Sequence, residues 1–322
     1  MTILITGVAG FVGSQVARAL LARGERVVGI DNFSPYYDPV LKFARVKPLR
    51  DNKAFTFHEL DIAEREPLLA LADQHRDIDR IVHLAAQPGV RQSITDPYAY
   101  IQANVMGQLI VLELARRLPD LKHFVYASSS SVYGANAELP YRTTDRVDHP
   151  VSVYAATKRS GELLTDTYVH LYKLKATGLR YFTVYGPWGR PDMSPFIFAK
   201  AILEGRPIKL FHLGFAKRDF SYIDDIVAGT VAVLDKPAET PSHRLYNLGA
   251  ADSEEIIHII ELFEKALGKK AVTELKPGEP GDMLETAADI AETTRDFGWK
   301  PKVKVEEGIP KFVEWFKAYN GL

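Results

Sequence analysis

The chain has 322 residues, of which 46% are hydrophobic and 25% charged, values that are ordinary for a globular protein with a sizeable core. Its 40 Lys and Arg residues balance 41 Asp and Glu residues, and this argues against binding to nucleic acid or to an acidic membrane. The absence of cysteine excludes disulfides and thiol catalysis, and the nine histidines show no metal-ligand spacing, so we expect no metal. No apolar run is long enough for a transmembrane helix and the N-terminus lacks a basic signal region, so we expect a cytoplasmic protein.

Short β-rich runs alternate with longer helical patterns through the first half of the chain. This alternation predicts βαβ units and a parallel sheet, and the nearly continuous apolar runs indicate strands covered on both faces. The predicted strands are Thr2–Thr6, Arg26–Asp31, Ala54–Glu59, Arg80–Leu84, His123–Ala127 and Lys175–Arg180. The predicted helices between them are Val12–Arg23, Pro39–Leu49, Glu64–His75, Ala99–Leu118 and Val153–Tyr172.

The pattern changes after Arg180, where Gly and Pro become dense and turns more frequent. Helices are predicted at Phe196–Glu204, Ile223–Leu234, Ser253–Leu267 and Val305–Ala318. We therefore expect a dinucleotide-binding domain followed by a smaller and less regular one.

The segment Thr6–Gly13 reads Thr-Gly-Val-Ala-Gly-Phe-Val-Gly and joins the first predicted strand to the first predicted helix. Gly7 permits a tight turn, Gly10 lets backbone approach a pyrophosphate, and Gly13 allows close packing of helix and strand. The helix N-terminus presents unpaired N–H groups to the anion. Asp31 ends the second strand, where a carboxylate accepts from both ribose hydroxyls and repels a 2′-phosphate. The pattern predicts a site for NAD rather than NADP.

Tyr154 and Lys158 are one turn apart on a predicted helix and share a face. A nearby ammonium, aided by the positive nicotinamide ring, is expected to lower the pKa of Tyr154 from about 10, so that the pair can exchange a proton with a sugar hydroxyl. The run Ser128–Ser131 follows the fifth strand, at the cofactor edge of the sheet. Each motif alone is common on protein surfaces, but their ordered series is much more specific.

This ordered series resembles the extended short-chain dehydrogenase/reductase family over nearly the whole chain. The resemblance implies an α/β protein with a Rossmann-type doubly wound parallel sheet and a smaller C-terminal α/β substrate-binding domain. We expect an NAD-binding domain over residues 1–182, with 220–249 returning to it, and a UDP-sugar-binding region over 183–322. The implied catalytic residues are Ser129, Tyr154 and Lys158. The positions that hold NAD in the family are matched by Gly7, Gly10, Phe11, Val12, Gly13, Asp31, Asn32, Asp61, Ile62, Leu84, Ala86, Asn104, Tyr154, Lys158 and Tyr181.

The two residues before Val132 distinguish reactions within the family. Nucleotide-sugar dehydratases carry Asp-Glu there, because eliminating water needs an additional acid and base, and decarboxylases usually carry Glu next to the valine. This chain has Ser130 and Ser131. The resemblance therefore implies oxidation and re-reduction at C4 of a nucleotide sugar, with NAD kept bound throughout.

Three stretches, residues 36–42, 87–91 and 180–193, resemble those of UDP-glucuronate 4-epimerases. Within them, Thr183 replaces the Asn usual in UDP-galactose epimerases, and with the serines it can hold a C5 carboxylate. By resemblance, two loop arginines contact the diphosphate and an aspartate contacts the ribose. The implied substrate contacts are Arg91, Ser129, Ser130, Ser131, Tyr154, Thr183, Arg190, Arg218 and Asp282.

Three alternatives stay open. The first is a UDP-glucuronate decarboxylase, which Ser131 disfavours. The second is an epimerase of neutral UDP-hexoses or UDP-pentoses, which Thr183 and the uronate-like stretches disfavour. The third is a non-catalytic NAD-binding module, which the intact set of Ser, Tyr and Lys disfavours. We also expect a homodimer, because helices Ala99–Leu118 and Val153–Tyr172 carry apolar residues beyond one stripe and relatives pair these helices across a twofold axis. The competing interpretation is that this extra apolar face packs inside the monomer.

Overall fold

A computed structural model describes residues 1–136, 138–278 and 283–322. Its strands are β1 (Thr2–Thr6), β2 (Arg26–Asp31), β3 (Phe55–Glu59), β4 (Arg80–His83), β5 (His123–Ser129), β6 (Lys175–Tyr181), β7 (Thr183–Tyr185), β8 (Pro207–Leu210), β9 (Lys217–Arg218), β10 (Phe220–Tyr222), β11 (Ser242–Leu248), β12 (Glu254–Glu255) and β13 (Val272–Leu275). Among the described residues, no helix combines the length and the apolar character needed to cross a bilayer.

The helices follow the order predicted from the sequence, with short additional turns. They are α1 (Phe11–Ala22), α2 (Val40–Arg50), α3 (Arg65–Gln74), α4 (Gln92–Thr95), α5 (Pro97–Tyr100), α6 (Gly107–Ala115), α7 (Val153–Tyr172), α8 (Ser194–Glu204), α9 (Ile223–Asp235), α10 (Ile256–Leu267), α11 (Ala291–Phe297) and α12 (Val305–Asn320). A π-helical turn, Ile101–Met106, joins α5 to α6, and 3₁₀ turns lie at Ser130–Tyr133 and Phe211–Gly214.

The central sheet has seven strands in the order β11-β6-β5-β4-β1-β2-β3, and all of its pairings are parallel. The strand order reverses direction between β1 and β4, where the chain first winds to one side of β1 and then to the other. In open α/β sheets of this kind, ligands bind outside the carboxyl ends of the strands at this switch point. The predicted doubly wound sheet is confirmed.

Both faces of the sheet are buried because side chains alternate along each strand. On β1, Ile3 and Ile5 join a core that includes residues of α1 and α9, whereas Leu4 joins a second core with residues of α3, α6 and α7. Burial on both sides explains why these strands read as nearly continuous apolar runs. The rigid sheet fixes the positions of the loops at its carboxyl edge.

The later part of the chain builds a third core, mainly from α8, α10 and α12. Small two-stranded pairings, β7 with β10, β8 with β13 and β9 with β12, connect this part. The chain also returns to the central sheet, because β11 pairs with β6 from Ser242–Lys175 to Leu248–Tyr181. The predicted boundary between residues 182 and 183 stays a prediction.

Candidate active site

The glycine-rich turn lies at the switch point between β1 and β4. Gly7 has a φ of +72°, a value that favours glycine, and a Cβ there would lie 2.7 Å from the Ala85 nitrogen. A Cβ on Gly13 would lie 2.1 Å from the Gly7 carbonyl oxygen, so α1 packs on the turn at a distance only glycine permits. Helix α1 begins at Phe11 with no acidic residue in its first turn. Its N-terminal N–H groups thus form an anion site beside the strand edge.

Asp31 lies at the carboxyl end of β2 and is buried. Its Oδ2 accepts from the Ala9 N–H at 3.0 Å and its Oδ1 from the Phe33 N–H at 2.9 Å. Burial raises the pKa of Asp31, while Lys42 and these N–H groups act in the opposite direction. A carboxylate has about four lone-pair sites, so both oxygens keep capacity for ribose hydroxyls.

Asn32 and Asp61 meet at the ends of the neighbouring strands β2 and β3. The Asn32 Nδ2 donates to Asp61 Oδ2 at 2.9 Å, and Asp61 Oδ1 accepts from the Ala63 N–H at 2.8 Å. Lys42 also lines this end of the cavity and donates to the Ser34 carbonyl at 2.7 Å. These groups make a polar rim around Asp31.

Tyr154 and Lys158 project from the first turns of α7 toward the end of β5. Ser152 caps this helix, accepting from the Ala155 N–H at 3.1 Å, and so fixes where the helix starts. Lys158 is 9% exposed, and its Nζ donates to the Ala127 carbonyl at 2.9 Å and lies 6.0 Å from the centre of the Tyr154 ring. Ser129 Oγ contacts Ser131 Oγ at 3.2 Å.

Burial is the largest influence on the titration of both Tyr154 and Lys158. Burial raises the pKa of Tyr154, and a hydrogen bond with Ser129 only partly offsets it. Burial also lowers the pKa of Lys158 to about 8. The expectation that Lys158 and the nicotinamide ring together lower the tyrosine pKa concerns the NAD-bound protein and stays a prediction. In the protein alone, the Lys158 ammonium is bonded to the Ala127 carbonyl and desolvation is the larger effect on Tyr154.

A cavity of about 460 Å³ connects the glycine turn, the Asp31 rim and the Tyr154–Lys158 pair. Most of the sequence-predicted site residues line it. They are Gly7, Gly10, Phe11, Val12, Gly13, Asp31, Asn32, Asp61, Ile62, Leu84, Ala86, Ser129, Tyr154, Lys158, Tyr181 and Arg190.

Other predicted site residues, within the described part of the chain, do not line this cavity. Asn104 lies behind its wall, with Oδ1 accepting from the Gln87 N–H at 2.7 Å and Nδ2 donating to the Gln87 carbonyl and the Thr157 hydroxyl, both at 3.0 Å. Arg91 lies 4.1 Å over the Phe211 ring, and Arg218 Nη1 donates to the carbonyls of Lys217 and Leu284.

The remaining predicted substrate contacts lie near the carboxyl edge of the sheet. Ser130 and Ser131 form the 3₁₀ turn after β5, and Thr183 begins β7 directly after the end of β6. Asp282 lies outside the described residues.

The cavity has further lining residues that the sequence reasoning did not assign to the site. They include Ser34, Tyr36, Tyr37, Lys42, Ala85, Gln87, Pro88, Gln102, Ser128 and Met193. Several fall in the stretches 36–42, 87–91 and 180–193, so the resemblance of those stretches was the available signal. Their side chains come together only through the fold.

These residues fit a dinucleotide. The glycine cradle would be filled by any Cβ, a helix N-terminus faces the diphosphate position, and a buried carboxylate stands where a ribose binds. A Tyr-x-x-x-Lys pair and a strand-end serine line the same cavity. Fold and site together define a dinucleotide-dependent enzyme that acts on an alcohol or the corresponding ketone.

Comparison with known proteins gives the family. Residues 3–249 match the NAD dependent epimerase/dehydratase family, and the chain belongs to it. The chain is 42% identical to UDP-glucuronate 4-epimerase 1 of Arabidopsis thaliana over 337 residues, covering 100% of this chain and 78% of that protein. It is 42% identical to a probable UDP-glucuronate 4-epimerase of Rhizobium meliloti over 334 residues, covering 98% and 97%.

A solved structure extends this likeness to three dimensions. The chain resembles UDP-glucuronic acid 4-epimerase from Bacillus cereus, crystallised with UDP-glucuronic acid and NAD, with a TM-score of 0.90 and 36% identity. The match covers 99% of this chain and 100% of the other.

Proposed function

We propose that the chain is an NAD-dependent UDP-glucuronate 4-epimerase, an isomerase that interconverts UDP-glucuronate and UDP-galacturonate. The observation that carries the proposal is the single cavity that holds the glycine turn, Asp31 and the Ser129, Tyr154 and Lys158 set. Identity of 42% with UDP-glucuronate 4-epimerases over nearly the full chain supports this substrate.

Bound NAD would supply the hydride acceptor and donor that oxidation and re-reduction at C4 of the sugar require. The nicotinamide ring also brings the positive charge that favours the Tyr154 phenolate. The glycine turn and the N-terminus of α1 would hold the diphosphate of the cofactor, and Asp31 would hold its adenosine ribose.

The protein's own residues move the proton. Tyr154 takes it from the C4 hydroxyl as the ketone forms and returns it on reduction, with Ser129 holding the same oxygen. Lys158, which is buried and donates to the Ala127 carbonyl, holds the charge beside the phenol. Because the sugar must turn over between the two hydride transfers, its pocket has to release the ring while the nucleotide stays anchored.

The absence of a carboxylate beside Val132 supports epimerisation over carbon–carbon cleavage. The 4-keto uronate is a β-keto acid and loses CO₂ readily when the C5–carboxylate bond aligns with the carbonyl π system. We propose that Ser130, Ser131 and Thr183 hold the carboxylate out of this alignment, and that Arg190, Arg218 and Asp282 bind the nucleotide. Arg91 completes the proposed sugar subsite.

Incubation with UDP-glucuronate, followed by NMR of the products, tests the function. We expect UDP-galacturonate with little UDP-pentose, and turnover without added NAD. A product that is mainly UDP-pentose would indicate a lyase. UDP-galactose formed from UDP-glucose much faster than UDP-galacturonate would indicate a neutral-sugar epimerase.

We further propose a cytoplasmic homodimer. The helical segment from α5 through α6 and helix α7 expose large apolar side chains, namely Tyr98, Ile101, Met106 and Leu163. A second copy of the chain would cover them across a twofold axis. The lack of cysteine fits a reducing compartment.

A further inference from the structure

Arg45 is a buried arginine on α2 that none of the proposed chemical steps uses. It is 0% exposed, and its guanidinium points away from solvent between the glycine turn and the loop that carries Arg190. A buried charge is costly unless its hydrogen bonds are satisfied, so its presence calls for a reason.

Each nitrogen of the Arg45 guanidinium has partners, and the partners belong to three separate segments. Nη1 donates to the Ala9 carbonyl at 3.1 Å and to the Tyr37 hydroxyl at 2.6 Å. Nε donates to the Trp188 carbonyl at 3.1 Å, and Nη2 to the carbonyls of Trp188 at 2.7 Å and Gly189 at 3.2 Å. An arginine has five N–H donors, and this set uses all of them on carbonyl and phenol oxygens.

The Trp188–Gly189 turn is strained where Arg45 binds it. Trp188 has a φ of +67°, a left-handed conformation that is unfavourable for a residue with a side chain. Such strain persists only when the surroundings hold it. Besides Arg45, the Gly189 N–H donates to the Gly186 carbonyl at 3.0 Å, and the guanidinium of Arg18 lies 5.4 Å from the centre of the Trp188 ring.

The turn leads directly into Arg190, which lines the cavity. Arg190 is paired with Asp192, and Asp192 also accepts from the Tyr36 hydroxyl at 3.1 Å. These contacts fix the side chain of Arg190, whereas Arg45 fixes the backbone from which it projects. The same guanidinium reaches the Ala9 carbonyl in the glycine turn, so it links the two segments that carry Gly10 and Arg190, both of which line the cavity.

We propose that Arg45 is a positioning residue for the UDP-sugar subsite. By holding the Trp188 and Gly189 carbonyls against the glycine turn, it places Arg190 to face the nucleotide of the sugar substrate. This inference rests on the proposed function, because it assigns Arg190 to UDP binding.

A double-mutant cycle tests the proposal on the NAD-loaded protein, with UDP as the titrant in calorimetry. Arg45→Lys keeps the charge but offers only three donors from one nitrogen, and we expect it to weaken UDP binding about tenfold or more, equivalent to about 1.4 kcal/mol. In an Arg190→Met background the same change should cost less than about twofold, because the residue through which Arg45 acts is gone.

The matched control is Arg50→Met on the same helix, whose guanidinium lies 4.4 Å over the Phe57 ring, away from the turn. It should leave UDP affinity within about twofold of the parent. If Arg45→Lys folds poorly, Tyr37→Phe removes one 2.6 Å partner and leaves the carbonyl contacts in place. We expect Tyr37→Phe to weaken UDP binding as well, by about threefold.

Unchanged UDP affinity in Arg45→Lys would overturn the proposal, as would an equal loss in the presence and absence of the Arg190 side chain. The latter result would mean that Arg45 stabilises the fold in general. These outcomes are separable from failure of the proposed function, since UDP titration involves no turnover. If the parent protein binds UDP but does not epimerise UDP-glucuronate, the proposed function is rejected. The double-mutant cycle of Arg45 and Arg190 can still be measured in that case.

Discussion

Tyr154 is the residue on which the proposed chemistry depends most directly. Tyr154→Phe removes only the phenolic oxygen, so the fold and the Lys158 contact to the Ala127 carbonyl should persist. We expect a fall in turnover well beyond tenfold, with an unchanged thermal midpoint. Activity within about tenfold of the parent, a barrier change of about 1.4 kcal/mol or less, would reject the assignment.

Asp31 should decide whether the cofactor stays bound. Asp31→Ala removes the acceptor for the ribose hydroxyls and also the contacts from the Ala9 and Phe33 N–H groups. We therefore expect purified wild-type protein to carry NAD and the variant to carry much less, as measured in the supernatant of denatured samples. Asn32→Ala, which changes the neighbouring rim residue, is the matched comparison. Equal NAD content in Asp31→Ala and wild type would remove the role given to Asp31.

The buried, neutral state of His83 can be tested through the pH dependence of the free energy of unfolding. His83 is buried on β4, its Nδ1 lies 2.6 Å from the Thr6 hydroxyl, and burial, aided by the charge of Lys158, lowers its pKa to about 3. The pKa of His83 in the unfolded chain is about 6.5, so below that pH the unfolded chain binds a proton at His83 and the folded chain does not. The free energy of unfolding therefore falls as the pH drops from about 6.5 toward 3.

His83→Asn keeps a polar group near Thr6 but does not titrate. Urea unfolding from about pH 7.5 to pH 5 should therefore show a loss smaller by about 2 kcal/mol in His83→Asn than in wild type. His58, His123 and His243, whose pKa values are also lowered, are common to both proteins. Parallel pH curves for the two proteins would contradict the buried, neutral state of His83.

At the scale of elements, a buried ion pair joins α7 to β6 beneath the proposed catalytic residues. Arg180 donates to Glu162 through Nε at 2.9 Å and Nη2 at 3.0 Å, and the Ser128 hydroxyl adds a bond of 2.7 Å. Burial acts to raise the pKa of Glu162, but Arg180, together with the Ser128 hydroxyl and Arg159, outweighs it and the pKa is lowered.

Glu162→Leu should lower the free energy of unfolding by about 3–5 kcal/mol, because it leaves Arg180 buried without its partner. Adding Arg180→Met should recover part of this loss, since the uncompensated charge is then removed. Urea denaturation of the two variants checks both steps. A double variant less stable than Glu162→Leu would contradict this account, because it would mean that Arg180 still stabilises the fold when Glu162 is absent.

The sequence predicts the long central elements well and the short peripheral ones poorly. Strands β1 and β2 and helix α7 have the predicted bounds, because apolar runs covered on both faces and a capped helix leave clear patterns. The predicted helix Ala99–Leu118 is instead interrupted by the π-helical turn Ile101–Met106, from which the Asn104 side chain bonds to the Gln87 backbone and the Thr157 hydroxyl. Strands as short as Lys217–Arg218 exist only through tertiary pairing and have no pattern of their own.

The same contrast holds for the site across the whole molecule. Motif residues such as Gly7, Asp31 and Tyr154 are predictable because turn, strand end and helix face each impose a residue type. Arg45 is not, because the carbonyls it binds lie 36, 143 and 144 residues away in the chain. Contacts of this kind depend on how segments distant in the sequence pack together, and no local sequence pattern encodes that packing.

The proposed homodimer is a prediction for the whole molecule. Light scattering at micromolar concentration should give twice the mass of the 36.0 kDa chain. Leu163→Glu places a charge on the exposed apolar face of α7, where Leu163 is 53% exposed, and should shift the mass toward the monomer. A monomeric wild-type protein would reject the proposal.

The most direct measurement of the proposed reaction follows a deuterium label at C4 of UDP-glucuronate in ordinary water. Because the hydride is removed from C4 and returned to C4 within one enzyme-bound cycle, we predict UDP-galacturonate that keeps the deuterium at C4, seen by NMR and mass spectrometry. UDP-galacturonate that has lost the label to solvent, or a labelled UDP-pentose as the main product, would contradict the proposed reaction.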